Sequence, residues 1–322
     1  SCRSIRTMSK LQVLKDVLGS YHVSGAEHLF SCPYCKHHKR KMSINLLIGK
    51  WKCWICDKAG NNPSSLIRKF GSTSALREWQ KYDDRTDLSS AADELENLFI
   101  TEHEEEEIKI DLPKEYQSLA RKECPVSGIA AKSYLNKRRI TLSDALYWKI
   151  GYCTRGEYEG RIIIPSFNKD GYPNYFIART YEGHWKKYLN PTGTPKSKII
   201  FNELYLDFNK PLTIVEGVFD AIVAGQNSAP LLGSTLRNNH RLFQEIVKND
   251  TIVYLALDPD AHKKQIDITK LFLQYGIKTY IIDTSGFADV GEMTRGQFNK
   301  RKRAAKVAND FYLLYESLSF GV

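Results

Sequence analysis

The sequence predicts a multidomain chain of mixed α/β and α+β type: a small four-cysteine ribbon, then an α+β segment, then a parallel-sheet domain. Three observations predict it. Four of the seven cysteines form two CxxC pairs, Cys32 with Cys35 and Cys53 with Cys56. In the middle of the chain, strand-like RIIIPSF and YFIART flank a Gly-Tyr-Pro turn. From Pro211 onward, LTIVEG, PLLGS, TIVYLALDPD and KTYIIDTSG alternate with helical segments, and buried β-branched runs spaced in this way belong to a parallel sheet covered on both faces. At 322 residues the chain is long enough for two or three such modules.

Composition sets the boundaries. Residues 8–82 form the N-terminal module: LQVLKDVLGSY makes residues 8 to about 30 look helical, the cysteines follow to about 62, and Pro-Ser-Ser starts a further helix over 66–82. Met8 is a candidate start, and the basic residues before it lack the apolar stretch of a secretory signal. Residues 83–112 read as an acidic flexible linker with a short helix, DELENLF, inside it; an interaction tail or a mimic of nucleic acid is the alternative. Residues 113–210 are the α+β segment, and 211–322 the parallel-sheet domain with a closing helix over about 301–318.

The formal charge is +10, yet the stretch from Asp83 to Asp111 holds twelve acidic residues against Arg85 and Lys109, so about +20 rests on the remainder. Such an excess suits a polyanion partner. No apolar run approaches the roughly 20 residues that span a bilayer. A cytoplasmic protein with no membrane partner is expected, and scattered Cys2, Cys124 and Cys153 fit a reducing compartment better than a disulfide framework.

The two CxxC pairs are separated by 17 residues, a spacing that lets Cys32, Cys35, Cys53 and Cys56 present four thiolates to a structural Zn²⁺; His37 and His38 are alternative ligands. Between the pairs, SINLLIGKWKCW reads as a hairpin turning at Gly49 and Lys50. That turn sets Trp51, Lys52 and Trp54 beside Lys36, Lys39, Arg40 and Lys41, a mixture suited to stacking on unpaired bases; packing over the metal core is the plainer alternative.

Glu216 ends one predicted strand, and Asp258 and Asp260 end another, so three carboxylates fall at the C-terminal edge of a parallel sheet, where ligands bind. Asp258 and Asp260 point to one side if the chain stays extended. Asp220 follows Glu216 by one helical turn, and Asp289 follows a later strand. Acids so clustered suit Mg²⁺ or Mn²⁺, which at such a site clamp the triphosphate of an incoming nucleotide; taken singly, each acid is as well read as a helix cap.

IVEGVFDAI and LALDPDAH resemble the first motif and the DxD motif of the Toprim domain, shared by DnaG-type primases, topoisomerases and some nucleases. The resemblance implies that Glu216, Asp258 and Asp260 are catalytic metal ligands, with Asp220 and Asp289 as further ones. In FADVGEM, Gly291 stands where the family has a second acid. SYLNKRRITLSDALYWKIGYC, GRIIIPSFNKDGYPNYFIART and KKYLNP are similar to the polymerase subdomain of bacterial primases, which implies that Arg138, Arg161, Arg179, Lys187, Tyr188 and Asn190 line a groove for template, primer or nucleotide. Arg139 replaces a glycine usual in the family, and Asn202 takes a basic position for which Lys196 or Lys198 compensates.

The resemblance covers nearly the whole chain and is greatest to stand-alone primases of tailed bacteriophages. It implies synthesis of RNA primers from ribonucleoside triphosphates on single-stranded DNA by two-metal nucleotidyl transfer, in a host bacterial cytoplasm. No GxxxxGK[ST] loop occurs, so a separate hexameric helicase is an implied partner, with a single-strand-binding protein as a further candidate. The rivals are a Toprim nuclease or topoisomerase-related enzyme and a non-catalytic zinc-ribbon adaptor. The closing helix either packs on its own domain or docks the helicase.

Overall fold

The computed structural model describes residues 2–82, 107–121 and 123–320. These fall into two compact units: the N-terminal module with the short segments Val247–Asn249 and Leu271–Ile277, and the remainder of the chain from Glu107. The expected helix DELENLF, and the linker through residue 106, lie outside the described residues.

Helix α1 spans Cys2–Leu18 and stops at Gly19, whose φ of +87° is the left-handed conformation that ends helices. The helix expected to reach about residue 30 is therefore shorter: His22–Ser24 and Glu27–Phe30 are β1 and β2. With β3 (Met42–Asn45), β4 (Lys50–Cys53) and β5 (Ala59–Gly60) they form an antiparallel meander in chain order. The predicted hairpin is present, with Asn45 opposite Lys50. Asn45 Oδ1 accepts the N–H groups of Leu47 and Ile48, and Gly49 closes the turn at φ +70°. The single helix expected over 66–82 is two, α2 (Ser64–Phe70) and α3 (Thr73–Gln80). A Cβ at Gly71 would lie 2.7 Å from the Ile67 carbonyl, and Ser72 caps α3 by accepting the Ala75 N–H, so this pair breaks the helix.

In the second unit, β6 (Gln117–Ser118), β7 (Gly151–Cys153), β8 (Arg161–Phe167) and β9 (Pro173–Thr180) make an antiparallel sheet, with α4 (Ile129–Lys137) and α5 (Leu142–Tyr147) in the connection from β6 to β7. Thr141 and Asp144 form a capping box that starts α5. Ile108, Ile110 and Leu112 pack against this sheet and the Ile110 N–H donates to the Pro173 carbonyl, so residues 107–112, expected to be linker, belong to the second unit.

The alternating region builds the predicted parallel sheet. β10 (Leu212–Val215) is followed by α6 (Val218–Ala224), β11 (Ser228–Pro230), α7 (Arg241–Asn249), β12 (Val253–Ala256), α8 (His262–Gln274) and β13 (Thr279–Ile281). The strand order is β11-β10-β12-β13, all parallel, closed by the antiparallel edge strand β14 (Lys306–Val307). The chain leaves β10 toward one side and returns to the other, so the C-terminal ends of β10 and β12 flank a topological switch point. One continuous core runs through both sheets, from Trp148, Ile162 and Ile177 to Val215, Phe219 and Phe298, so residue 210 separates two sheets and not two cores.

The closing helix expected over 301–318 is divided into α9 (Arg295–Arg303) and α10 (Asp310–Phe320) by β14. Along α10, Phe311, Leu314, Tyr315 and Leu318 form an exposed stripe, so this face is not packed among the described residues.

Candidate active site and zinc centre

In the first unit, each CxxC is followed by a residue in the left-handed region, Lys36 at φ +52° and Asp57 at φ +56°. These turns bring Cys32, Cys35, Cys53 and Cys56 together, with all four Sγ atoms within 4.8 Å of one another and no disulfide among them. Burial pushes the Cys32 and Cys53 thiols above their ordinary range. Four soft donors converging on a point fit a closed, structural Zn²⁺ site. His37 and His38 stand outside the cluster: their rings pair with each other 4.4 Å apart, and His37 Nδ1 accepts the Lys39 N–H.

The strand period decides the hairpin's aromatics. Trp51 and Cys53 face the module's core, whereas Lys50 and Lys52 face outward. Trp51 is 5% exposed, stacks parallel to Tyr34 and donates from Nε1 to Ser65 Oγ, so, contrary to expectation, it is a core residue and is not presented to unpaired bases. Lys52 lies over the Trp54 ring, approaches Asp57 at 3.8 Å and lines a cavity of about 450 Å³ with Ser43, Asn45, Lys50 and Asn61.

In the second unit, a cavity of about 580 Å³ opens at the C-terminal edge of the parallel sheet. Glu216, Asp220, Asp258 and Asp289 line one wall, and Arg138, Arg179, Lys187, Tyr188 and Asn190 line the other. The register pairs Val215 with Ala256, which sets Glu216 and the residues leading to Asp258 side by side.

Glu216 Oε1 and Asp258 Oδ1 are buried without a hydrogen-bond partner. Burial, then the neighbouring carboxylates of Asp220, Glu216, Asp289 and Asp260, pushes Asp258 up to about 7. Asp220 is pushed up to about 6 by burial and then by Asp289. Orphaned oxygens among mutually repelling acids fit a hard divalent cation as the missing partner. The carboxylates stand looser than the cysteines: among the described residues, only the cysteines bring three or more donor atoms within 4.8 Å.

Asp260 departs from the expectation. The chain does not stay extended past Ala256, because the Ala261 N–H closes a turn on the Asp258 carbonyl; Asp260 is turned to the exposed surface and does not line the cavity. Asp220 accepts the N–H groups of Gly217 and Gly291 at 2.8 Å each, and Asp289 caps the turn at Val290–Glu292 by accepting the Glu292 N–H. Asp220 thus ties the 289–292 segment to the start of α6, while Asp289 holds that segment's own turn. A Cβ at Gly291 would lie 3.1 Å from Asp289 Oδ1 and 3.2 Å from Asp220 Oδ1, so an acidic side chain there would press on two carboxylates.

On the basic wall, Arg138 lies over the Phe219 and Tyr134 rings and donates from Nε to the Tyr134 hydroxyl. Arg179 lies over Tyr188, 4.8 Å from the ring centroid, with Nε buried and unpartnered. Asn190 Oδ1 accepts the Ala178 N–H, fixing the segment that bears Lys187 and Tyr188 against β9. Arg161 is not in the groove. It is 5% exposed and its guanidinium donates to the Lys186, Lys187 and Ala178 carbonyls. Arg139 adopts φ +59° and Asn202 φ +57°, the left-handed region; Asn202 is buried, and Lys196 donates to the Leu232 carbonyl beside the cavity.

Lys264 is a site residue that the sequence motifs do not mark. Its ammonium lies 2.8 Å from Glu216 Oε2 in a half-buried pair. The Lys263-Lys264 doublet following DPDAH at the start of α8 was the signal available in the sequence.

No protein-family model matches the sequence, and no curated protein matches it. Solved structures do. The zinc-binding and RNA polymerase domains of the Aquifex aeolicus primase align over 100% of this chain and 97% of that one, at TM-score 0.50 and 16% identity. A DnaG primase catalytic domain bound to single-stranded DNA aligns over 62% of this chain and 78% of that one, at TM-score 0.51 and 18% identity. The RNA polymerase domain of Mycobacterium tuberculosis primase DnaG aligns over 61% and 82%, at TM-score 0.50 and 13% identity. At these identities the likeness is one of fold: this chain has the architecture of a primase zinc-binding domain followed by a primase RNA polymerase domain.

Proposed function

We propose that the chain is a DNA primase, a DNA-directed RNA polymerase that joins ribonucleoside triphosphates into short primers on single-stranded DNA. The observation that carries the reading is the cavity whose acidic wall, Glu216 and Asp258, faces the basic wall of Arg138, Arg179 and Lys187. Nucleotidyl transfer needs this opposition, because phosphates must be held while charge builds on the attacking and departing oxygens.

Glu216 and Asp258 would hold Mg²⁺ or Mn²⁺, while Asp260, turned to the exposed surface, adds only its negative charge nearby. When bound, such ions supply the clamp on the attacking 3′ oxygen and the pyrophosphate leaving group, in a two-metal arrangement. Arg138 and Arg179 lie over aromatic rings, which leaves their guanidinium charges available to phosphate, and exposed Lys187 adds a third cation to the lining. Asp220 and Asp289 act as positioning residues that fix the acidic wall. The zinc module would select the template through the outward face that bears Lys50 and Lys52. The same reading places the chain in a bacterial cytoplasm, working beside a hexameric helicase and a single-strand-binding protein.

The test is incubation of the full chain with single-stranded DNA, Mg²⁺ and labelled ribonucleotides. Short RNA that disappears in Glu216→Ala and Asp258→Ala is expected. Cleaved DNA would favour the Toprim nuclease reading, and DNA binding without any product would favour the adaptor.

A further inference from the structure

Trp185 stands apart from the tryptophans of the two cores. Trp51, Trp79 and Trp148 are at most 5% exposed, whereas Trp185 is 85% exposed. An indole left in water forgoes most of the stabilisation its burial would bring, so its setting is informative.

That setting is a built hairpin tip. The Thr180 N–H donates to the Lys187 carbonyl, the Leu189 N–H to Ala178, and Arg179 pairs antiparallel with Tyr188. Thr180 Oγ1 accepts the N–H groups of Glu182 and His184, and Gly183 takes the turn at φ +77°. His184 Nδ1 accepts the Lys186 N–H, with its ring 5.6 Å from the Trp185 ring. Beneath the tip, the buried Arg161 guanidinium holds the carbonyls of Lys186 and Lys187. The exposed indole is thus presented on a fixed backbone, two residues before Lys187 and three before Tyr188 of the cavity wall.

We infer that Trp185 is a stacking platform for an unpaired nucleobase of a single strand entering the cavity. Lys186 and Lys187 are exposed beside it, so phosphates have cations where the base has a π face, the combination that single-strand sites use. An apolar protein surface would instead have to desolvate both lysines. This inference rests on the primase reading for the identity of the strand.

The experiment measures equilibrium binding of the full chain to oligothymidylate, to an abasic oligomer of the same length and to duplex DNA, with no nucleotides present. Trp185→Ala is expected to weaken oligothymidylate binding about tenfold while leaving abasic and duplex binding unchanged, since stacking acts on the base alone. Trp185→Phe recovers most of the loss, and melting temperatures confirm that the variants are folded. Loss on the abasic oligomer equal to that on oligothymidylate, or no loss on either, overturns the inference. Binding is read without synthesis, so a chain that makes no primer can still show the platform, and an active primase can lack it.

Discussion

Lys264 Nζ sits 2.8 Å from Glu216 Oε2, placing a lysine cation on the acid that the primase reading assigns to Mg²⁺. The ammonium offsets the repulsion among Glu216, Asp220 and Asp258 in the metal-free chain. Lys264→Met should therefore lower metal-free stability by about 1–3 kcal/mol, because a half-buried charge loses its partner. Added Mg²⁺ should narrow the difference from wild type, since the divalent ion takes over the same role. Thermal melting with and without Mg²⁺ reads this directly; an equal deficit in both would mean that the lysine does not stand in for the metal.

Asp258 and Asp220 give the metal-free protein a pH dependence of definite sign. Their carboxyls are pushed up to about 7 and about 6 from the ordinary 3.8, so between these values the folded chain holds more protons than the unfolded one. Stability contributed by these groups is full below the ordinary value and is lost as pH rises through about 6 to about 7. Water reaches Asp258, so the loss is smaller than the whole shift implies. Urea unfolding of the second unit against pH should show this fall without Mg²⁺ and little of it with Mg²⁺. Asp258→Asn should be more stable than wild type above the upper value, yet make no primer.

Glu216 and Asp258 were legible in the sequence because each follows a β-branched strand closely, and strand ends are local features. What lay beyond reach depended on geometry that no local pattern encodes. An extended chain would bring Asp260 to the site, but the Asp258–Ala261 turn rotates it outward. Arg161 reads as a groove cation because charge is visible in sequence, whereas its carbonyl partners come from residues 17, 25 and 26 positions away. For Trp51, the period of two correctly separates the hairpin's faces, but which face is inner depends on the packing of Leu66 and Ile67 of α2.

Trp51 and Lys52 should separate cleanly on mutation. Trp51 belongs to the first unit's core with Leu66 and Ile67, so Trp51→Ala should cost about 3–5 kcal/mol and lose DNA binding only through unfolding. Lys52 is on the outer face, and Lys52→Ala should change stability by no more than about 0.5 kcal/mol. If it contacts a phosphate, the slope of log affinity against log salt should fall by about 1. Trp51→Ala that melts like wild type but fails to bind single strands would restore the base-stacking role.

Zinc should be required for the first unit alone. Its core is small, and Cys32 and Cys53 are themselves buried members of it, so removing the ion leaves thiols whose burial favours the protonated form. Two consequences follow from that chemistry. Zinc binding at neutral pH should release protons, measurable by calorimetry in buffers of different ionisation enthalpy, because each ligand must become a thiolate. A strong chelator, or Cys53→Ser, should abolish the first unit's unfolding transition while the second unit, which holds none of the four cysteines, keeps its own. Persistence of both transitions in a chain shown to be free of zinc would mean that the cysteine cluster is held by packing and not by metal.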